Sequence, residues 1–379
     1  MQPSDLRVAL FSGNYNYVRD GANQSLNLLV GYLLEQGVKV RVYSPTVSAP
    51  AFPAVGDLVD VPSIPMIAGR GEYKLARGLP ARPRADLEAF APNVVHVSAP
   101  EFLGHAAVRW ARANNIPAVA SFHTRFETYC SYYGLGFLEP LVKHLMTRFY
   151  NRFDRVLVPS NSMTALLADW GVTAPMGIWS RGINHDRFRP DRRDLAWRRS
   201  LGIGDDEMAV GFLGRLVKEK GLDIFAEVST ELKRRGVAHK VLVVGEGPAR
   251  DWFAEKVPDA VFTGFQSGDA LGRAVASMDV FFNPSVTETF GNVTTEAMAS
   301  AVPVVAARAT GAVDLVEDGV NGFLVPPRDV NAYADAIGRI VADPALRQSM
   351  GEAGHHKAAG YRWDTANRAV LNAYLGLRP

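Results

Sequence analysis

Two glutamates eight positions apart, Glu288 and Glu296, stand in Asn283-Pro-Ser-Val-Thr-Glu-Thr-Phe-Gly-Asn-Val-Thr-Thr-Glu296. Three cations, Arg215, Lys218 and Lys220, stand in Gly214-Arg-Leu-Val-Lys-Glu-Lys-Gly221. Carboxylates accept hydrogen bonds from hydroxyls. A guanidinium fork suits a diphosphate, and an ammonium adds a compact positive charge. Such a set would hold a ligand carrying both hydroxyls and phosphates. Two glycine-bearing loops of the same half, Gly245-Glu-Gly-Pro248 and Thr263-Gly-Phe-Gln266, add backbone that a ligand can approach, with Gly264 and Phe265 in the second. The other half offers His123 in Ser121-Phe-His-Thr-Arg125 and Gly21 in the loop 13–22. Structural readings stand beside each. Ser285-Val-Thr-Glu288 has the spacing of a capping box. The 218–220 run reads equally as a solvated charge cluster, Gly245–Pro248 as a plain turn, and Gly21 as a loop glycine ahead of a helix. A lone histidine at a strand end is more often structural than catalytic.

To act on one ligand, these side chains must reach one edge of one sheet. The apolar run Asp279-Val-Phe-Phe282, closed by Asn-Pro, predicts a buried strand ending in a turn, and 293–300 predicts a helix. A strand, a glycine turn and a helix leave unpaired N–H groups at the helix start. The amides of Phe290, Gly291, Asn292 and Val293 would then face an anion, with Glu288 in the preceding loop and Glu296 on the first turns.

The rest of the chain alternates in the same way. Strands are expected at 7–12, 38–44, 94–98, 119–122 and 155–158, with helices at 25–36, 102–114 and 162–170 between them. After a polar, Asp- and Arg-rich stretch over 179–200, read as an interdomain connection, strands recur at 208–213, 240–244, 261–263, 279–283, 304–306 and 323–325, with a helix at 222–234. Two α/β domains with mainly parallel sheets follow: 1–185, and 186–360, with a last helix over 361–377. Loops at one edge of such a sheet share a crevice. The loop 13–22 is not a Gly-x-Gly-x-x-Gly fingerprint, so no dinucleotide cofactor is indicated.

At 379 residues, 47% hydrophobic and 21% charged, the chain has ordinary globular composition. A net charge of +2 carries no general signal for nucleic acid. The single cysteine, Cys130, forms no internal disulfide and argues against a Cys-based metal site. No apolar leader and no run of eighteen apolar residues is seen, which predicts a cytoplasmic protein. Local basic segments are present. The stretch 65–84 is loop-rich and carries Arg70, Lys74, Arg77, Arg82 and Arg84. The stretch 143–155 reads as a basic amphipathic helix with Lys143, Arg148, Arg152 and Arg155, suited to an anionic membrane surface or, equally, to core packing with a solvated basic face.

The ordered set Gly214-Arg215, Glu219-Lys220-Gly221, Gly245-Glu-Gly-Pro248, Thr263-Gly264, Glu288 with Glu296, and Ala297 to Ala307 resembles the retaining GT-B glycosyltransferases with a Glu-x7-Glu motif. The first half, with Val94-Val-His-Val-Ser-Ala-Pro100, Ser121-Phe-His123, Val158-Pro-Ser160 and Trp179-Ser-Arg-Gly182, is similar to bacterial GDP-mannose-dependent mannosyltransferases and to sulfoquinovosyl-diacylglycerol synthases, which act on lipid acceptors.

The resemblance implies two Rossmann-like domains facing a cleft, the last helix crossing back to the first domain, and a nucleoside-diphosphate sugar as donor. It also implies a membrane-lipid acceptor, with the protein peripheral on the inner face of the cell membrane, and no metal or cofactor; no Asp-x-Asp motif is present. By the same resemblance, Arg215 and Lys220 hold the diphosphate and Glu288 the sugar hydroxyls. Glu296 binds the ribose, the 290–293 amides bind sugar and phosphate, and His123 sits near the sugar once the domains close. Gly21, Gly214, Gly264 and Phe265 complete the donor contacts. The chain departs from the pattern at Ala301, where many relatives have glycine, and at Asp20-Gly21 and Thr310-Gly311, where they have glycine pairs.

Overall fold

The computed structural model describes residues 2–18, 20–65, 73–132 and 134–377. The chain divides into two compact units. One comprises Met1–Glu127, Phe137–Arg181 and Trp363–Pro379, and the other Thr128–Gly136 and Gly182–Arg362.

The first unit holds β1 (Arg7–Phe11), β2 (Lys39–Ser44), β3 (Asp57–Asp60), the short pair β4 (Ser63–Pro65) and β5 (Lys74–Ala76), β6 (Val94–Val97), β7 (Ala118–Ser121), β8 (Arg155–Val158) and β9 (Met176–Ile178). Seven strands form one parallel sheet in the order β3-β2-β1-β6-β7-β8-β9, while β4 and β5 pair antiparallel. The central strands read as unbroken apolar runs because helices cover both faces. On β6, Val95 and Val97 pack into one core with Phe11 and Phe149, and Val94 into another with Leu29 and Tyr374.

The second unit repeats the plan with β10 (Ala209–Leu213), β11 (Lys240–Val244), β12 (Val261–Phe262), β13 (Val280–Asn283), β14 (Val304–Ala307) and β15 (Gly322–Val325), all parallel, in the order β12-β11-β10-β13-β14-β15. Along β13, Val280 and Phe282 enter the core beneath helix Leu222–Arg234 while Phe281 enters the opposite one, the period-two alternation of a strand. Phe225 of that helix lies 4.8 Å from Phe282, ring centre to ring centre. In each sheet the strand order reverses once, between β1 and β6 and between β10 and β13. Open α/β sheets bind ligands beyond the carboxyl ends of such strands.

Several expectations need correction. The basic helix spans Glu139–Tyr150, and Arg152 and Arg155 fall beyond it, Arg155 on β8. The stretch 179–200 is no solvated connection throughout. Arg198 is fully buried on helix Leu195–Ser200 and bonds Asp279 at 2.8 Å, and Asp279 also pairs with Arg193 at 2.7 Å and accepts from the Ala209 amide. These charges pin the start of the second unit to its sheet. Of the loop-rich basic stretch 65–84, Arg70 lies outside the described residues, Lys74 is on β5, and Arg82 and Arg84 are on helix Ala81–Phe90. Among the described residues, no helix is long and apolar enough to cross a membrane.

Candidate functional site

Every predicted site residue of the second unit lies on loops at the carboxyl ends of β10, β11, β12 and β13 or on the helix that follows β13. Gly214 to Gly221 leaves β10 and turns through a single 3-10 turn, Lys218–Lys220, into helix Leu222–Arg234. The Glu219 carbonyl accepts from the Thr287 hydroxyl at 3.3 Å, which ties this loop to the one after β13. Gly245 packs its Cα on the Gly214 carbonyl. An added Cβ would come within 2.0 Å of that oxygen, so no side chain fits there. The Gly245 amide in turn donates to the Gly264 carbonyl at 2.9 Å. The glycines of these motifs therefore bring three strand ends close together. Phe265, beside Gly264, is 61% exposed.

After β13, Asn283 spans the loop: its Oδ1 accepts from the Ser285 amide at 3.2 Å and its Nδ2 donates to Thr294 Oγ1 at 3.3 Å. The helix runs Asn292–Ala299, and Gly291 at its N-cap has φ +105 and gives no side-chain cap. That backbone conformation favours glycine. The capping-box reading of Ser285 and Glu288 fails, since the helix begins four residues beyond Glu288. The first amides of this helix have no side-chain cap, and they carry the partial positive charge of the helix dipole. Phe290 is 5% exposed and meets Tyr361 edge-on at 5.6 Å, so its ring belongs to the core and its backbone is what the loop presents.

The charged groups have definite partners. Lys220 Nζ lies 2.6 Å from Glu288 Oε1, a pairing that sequence reasoning missed because it assigned the two groups to different parts of a ligand. Glu296 projects from the second helical turn, and burial pushes its carboxyl up to about 8 against the opposing charge of Arg187. Arg187 was missed too; its signal is only a cation in the Asp- and Arg-rich stretch. Arg215 and Lys218 are exposed on the loop after β10. Ala301 has φ +56. It adopts the left-handed conformation despite its Cβ, a strain of about 1 kcal/mol.

His123 and Gly21 belong to the first unit. Gly21 opens helix Gly21–Glu35, capped by Asp20, whose Oδ1 accepts from the Asn23 amide at 2.8 Å. His123 follows β7 and is held at both ring nitrogens. Arg181 Nη2 meets Nδ1 at 2.9 Å, and Ser121 Oγ meets Nε2 at 2.8 Å. A guanidinium can only donate, so Nδ1 accepts, and the neutral ring carries its proton on Nε2 and donates it to Ser121. Burial and then the Arg181 charge hold the imidazole well below its ordinary range. Ser121 is shared with His96 Nε2 at 2.9 Å, and His96 Nδ1 meets the Tyr374 hydroxyl at 2.5 Å. Ser121, His96 and Arg181 all lie inside the motifs Ser121-Phe-His123, Val94–Pro100 and Trp179–Gly182, where only the histidine was singled out. With both nitrogens engaged, the His123 ring is fixed in orientation.

Two family models match the chain: "Glycosyltransferase Family 4" over residues 19–187 and "Glycosyl transferases group 1" over residues 207–343. The sequence is 32% identical over 374 residues to the GDP-mannose-dependent alpha-mannosyltransferase of Mycolicibacterium smegmatis, covering 97% of each chain. It is 30% identical over 376 residues to sulfoquinovosyl transferase SQD2 of Arabidopsis thaliana, covering 97% of this chain and 72% of that one. Among solved structures, the fold matches the sucrose-phosphate synthase of Thermosynechococcus elongatus with a TM-score of 0.78 over 98% of both chains at 20% identity.

Proposed function

The chain belongs to the GT-B glycosyltransferases and is a hexosyltransferase, and from that premise we propose that it moves a hexose-type sugar from a nucleoside diphosphate to a hydroxyl of a membrane lipid, with retention of configuration. The observation that carries the donor half is the helix start at Gly291–Asn292, which its N-cap residue leaves without a side-chain cap, flanked by the Lys220–Glu288 pair and the partly buried Glu296. Amides and cations suit a diphosphate, and the two carboxylates suit hydroxyls on either side of it.

On this reading the acceptor hydroxyl attacks the anomeric carbon on the face from which the diphosphate departs. The bond from that carbon to the diphosphate oxygen breaks, and a phosphate oxygen takes the acceptor's proton. Arg215, Lys220 and the helix amides stabilise the charge that gathers on the leaving group. Glu288 orients the sugar, and no divalent metal is needed.

The lipid half rests on the first unit. Phe137, on the 3-10 turn Gly136–Leu138, and Leu141 and Leu145, one turn apart on helix Glu139–Tyr150, are 76%, 54% and 55% exposed, while Met146, Phe149 and Tyr150 of that helix are buried. Arg148 and His144 are exposed on the same helix, and Lys143 pairs with Glu139 at 2.7 Å. Exposed apolar residues with cationic neighbours fit an anionic lipid surface. Turnover of a panel of nucleotide sugars with a membrane-lipid extract, beside a panel of soluble glycosides, tests the whole. Tight donor binding with neither transfer nor slow donor hydrolysis would sink the enzyme; transfer to soluble glycosides alone would sink the lipid.

A further inference from the structure

The turn after β6, Ser98-Ala-Pro-Glu101, leads into helix Phe102–Ala113, whose His105 amide donates to the Glu101 carbonyl at 2.8 Å. β6 neighbours β1 at the order reversal of the first sheet, so Glu101 stands where that sheet would take a ligand. Its carboxyl lies across Gly13 in the loop after β1. A Cβ at position 13 would come within 1.8 Å of Oε2 and 2.0 Å of Oε1. The Gly13 carbonyl accepts the hydroxyl of buried Tyr17 at 2.6 Å, which fixes the loop beneath the carboxyl.

Within the fold this carboxyl has no task. Oε2 is buried without a hydrogen-bond partner, and the side chain does not cap its own helix. Burial pushes the group up to about 7. A buried acceptor without a partner is destabilising, and a ligand that supplies the missing bond gives a reason to keep it. Among the described residues, the charges that act on Tyr17 beside this carboxyl are acidic, Glu101 itself and Asp20, with Tyr73 as a further hydroxyl. A phosphate would be repelled there, while a neutral hydroxyl would find an acceptor.

Resting on the transferase reading above, we propose that Glu101 recognises the acceptor: its carboxyl takes a hydroxyl from the uncharged polyol end of the acceptor, a glycerol or sugar hydroxyl, in the crevice between the loops after β1 and β6. This names an acceptor class, neutral and hydroxylated, and sets it against an anionic headgroup.

The test compares the full-length wild type with Glu101→Leu and Glu101→Gln. Diacylglycerol and hexosyl-diacylglycerol in mixed micelles serve as lipid acceptors, glycerol and methyl glucoside as soluble ones, and glycerol 3-phosphate as the anionic control. The expected result is a KM for the neutral acceptor raised about 10-fold or more in Glu101→Leu and less in Glu101→Gln, with the calorimetric donor Kd unchanged. Which neutral acceptor responds, micellar or soluble, separates the two sources of the hydroxyl. An unchanged acceptor KM, or a wild type that prefers glycerol 3-phosphate to glycerol and the neutral lipids, would overturn the proposal while leaving the transferase reading in place. A wild type that binds donor but transfers to nothing overturns both. Denaturant unfolding adds a readout that needs no acceptor: relieving the orphaned carboxyl should leave Glu101→Leu as stable as the wild type or more so, and a marked loss of stability would show a structural carboxyl and overturn the assignment.

Discussion

Lys220 Nζ sits 2.6 Å from Glu288 Oε1, with the two side chains 31% and 12% exposed. The cation expected on the diphosphate and the carboxylate expected on the sugar hold each other, so each keeps the other's charge matched in a half-buried place. Neutralising one strands its partner. Lys220→Met and Glu288→Gln should each lower stability and turnover, and the double variant should lose less than the two losses together, with a coupling of about 1 kcal/mol. A double-mutant cycle in denaturant checks this; strictly additive losses would show that the pair does not form in solution.

The loop after β10 presents two exposed cations, Arg215 and Lys218, to which the proposed transferase reading gives different roles. Arg215→Ala should reduce turnover about 10²- to 10³-fold, the scale for losing one preorganised charge on a leaving group, whereas Lys218→Ala should change it only a few-fold. Steady-state kinetics with calorimetry of the nucleoside diphosphate would show it. Equal effects would mean the loop has been misread, and a collapse of wild-type turnover in EDTA would mean that a metal shares the diphosphate.

Glu296 makes stability depend on pH in a predictable direction. Its folded carboxyl is pushed from 4.5 up to about 8. Between those values the folded chain keeps a proton that the unfolded chain has released, so this group's contribution falls as pH rises from about 4.5 to about 8 and is flat above. Glu296→Gln should remove that loss. Unfolding free energies at pH 5 and pH 8 for both proteins give the comparison, and equal losses would show that the carboxyl titrates at its ordinary value.

The exposed Phe137, Leu141 and Leu145 should carry membrane affinity. Leu141→Glu with Leu145→Glu should abolish sedimentation with vesicles rich in anionic lipid while leaving circular dichroism unchanged. Arg148→Gln should weaken it, more at low salt than at high, by about 1 kcal/mol per charge. Wild type that ignores vesicles at every salt concentration would remove this face from the lipid reading.

The central strands were legible because buried parallel strands are short apolar runs between turn residues, as in strand Lys240–Val244, which the structure places at those same residues together with helix Leu222–Arg234, whereas the edge strands Asp57–Asp60 and Met176–Ile178 were not expected. Legibility failed where polar residues are buried. The stretch around Arg198 looked like a linker because four bonds to Asp279, Ser277, Gly204 and Glu207 offset its burial, and those partners lie elsewhere in the sequence. Helix Glu139–Tyr150 was carried on to Arg155 because apolar and basic residues go on alternating past Tyr150, after the helix has ended.

Spacing alone determined the two α/β halves, the glycine turns and the candidate pair Glu288 and Glu296, since these depend on local periodicity and on residue types next to one another. Only the tertiary structure decided how those groups are held: that Lys220 pairs with Glu288, that His123 is occupied at both nitrogens by Arg181 and Ser121, and that Glu101 Oε2 is buried without a partner beside Gly13. Hydrogen bonds and desolvation act between residues 58 and 68 positions apart as readily as between neighbours, and no local pattern in the chain records which distant partner a buried charge will meet.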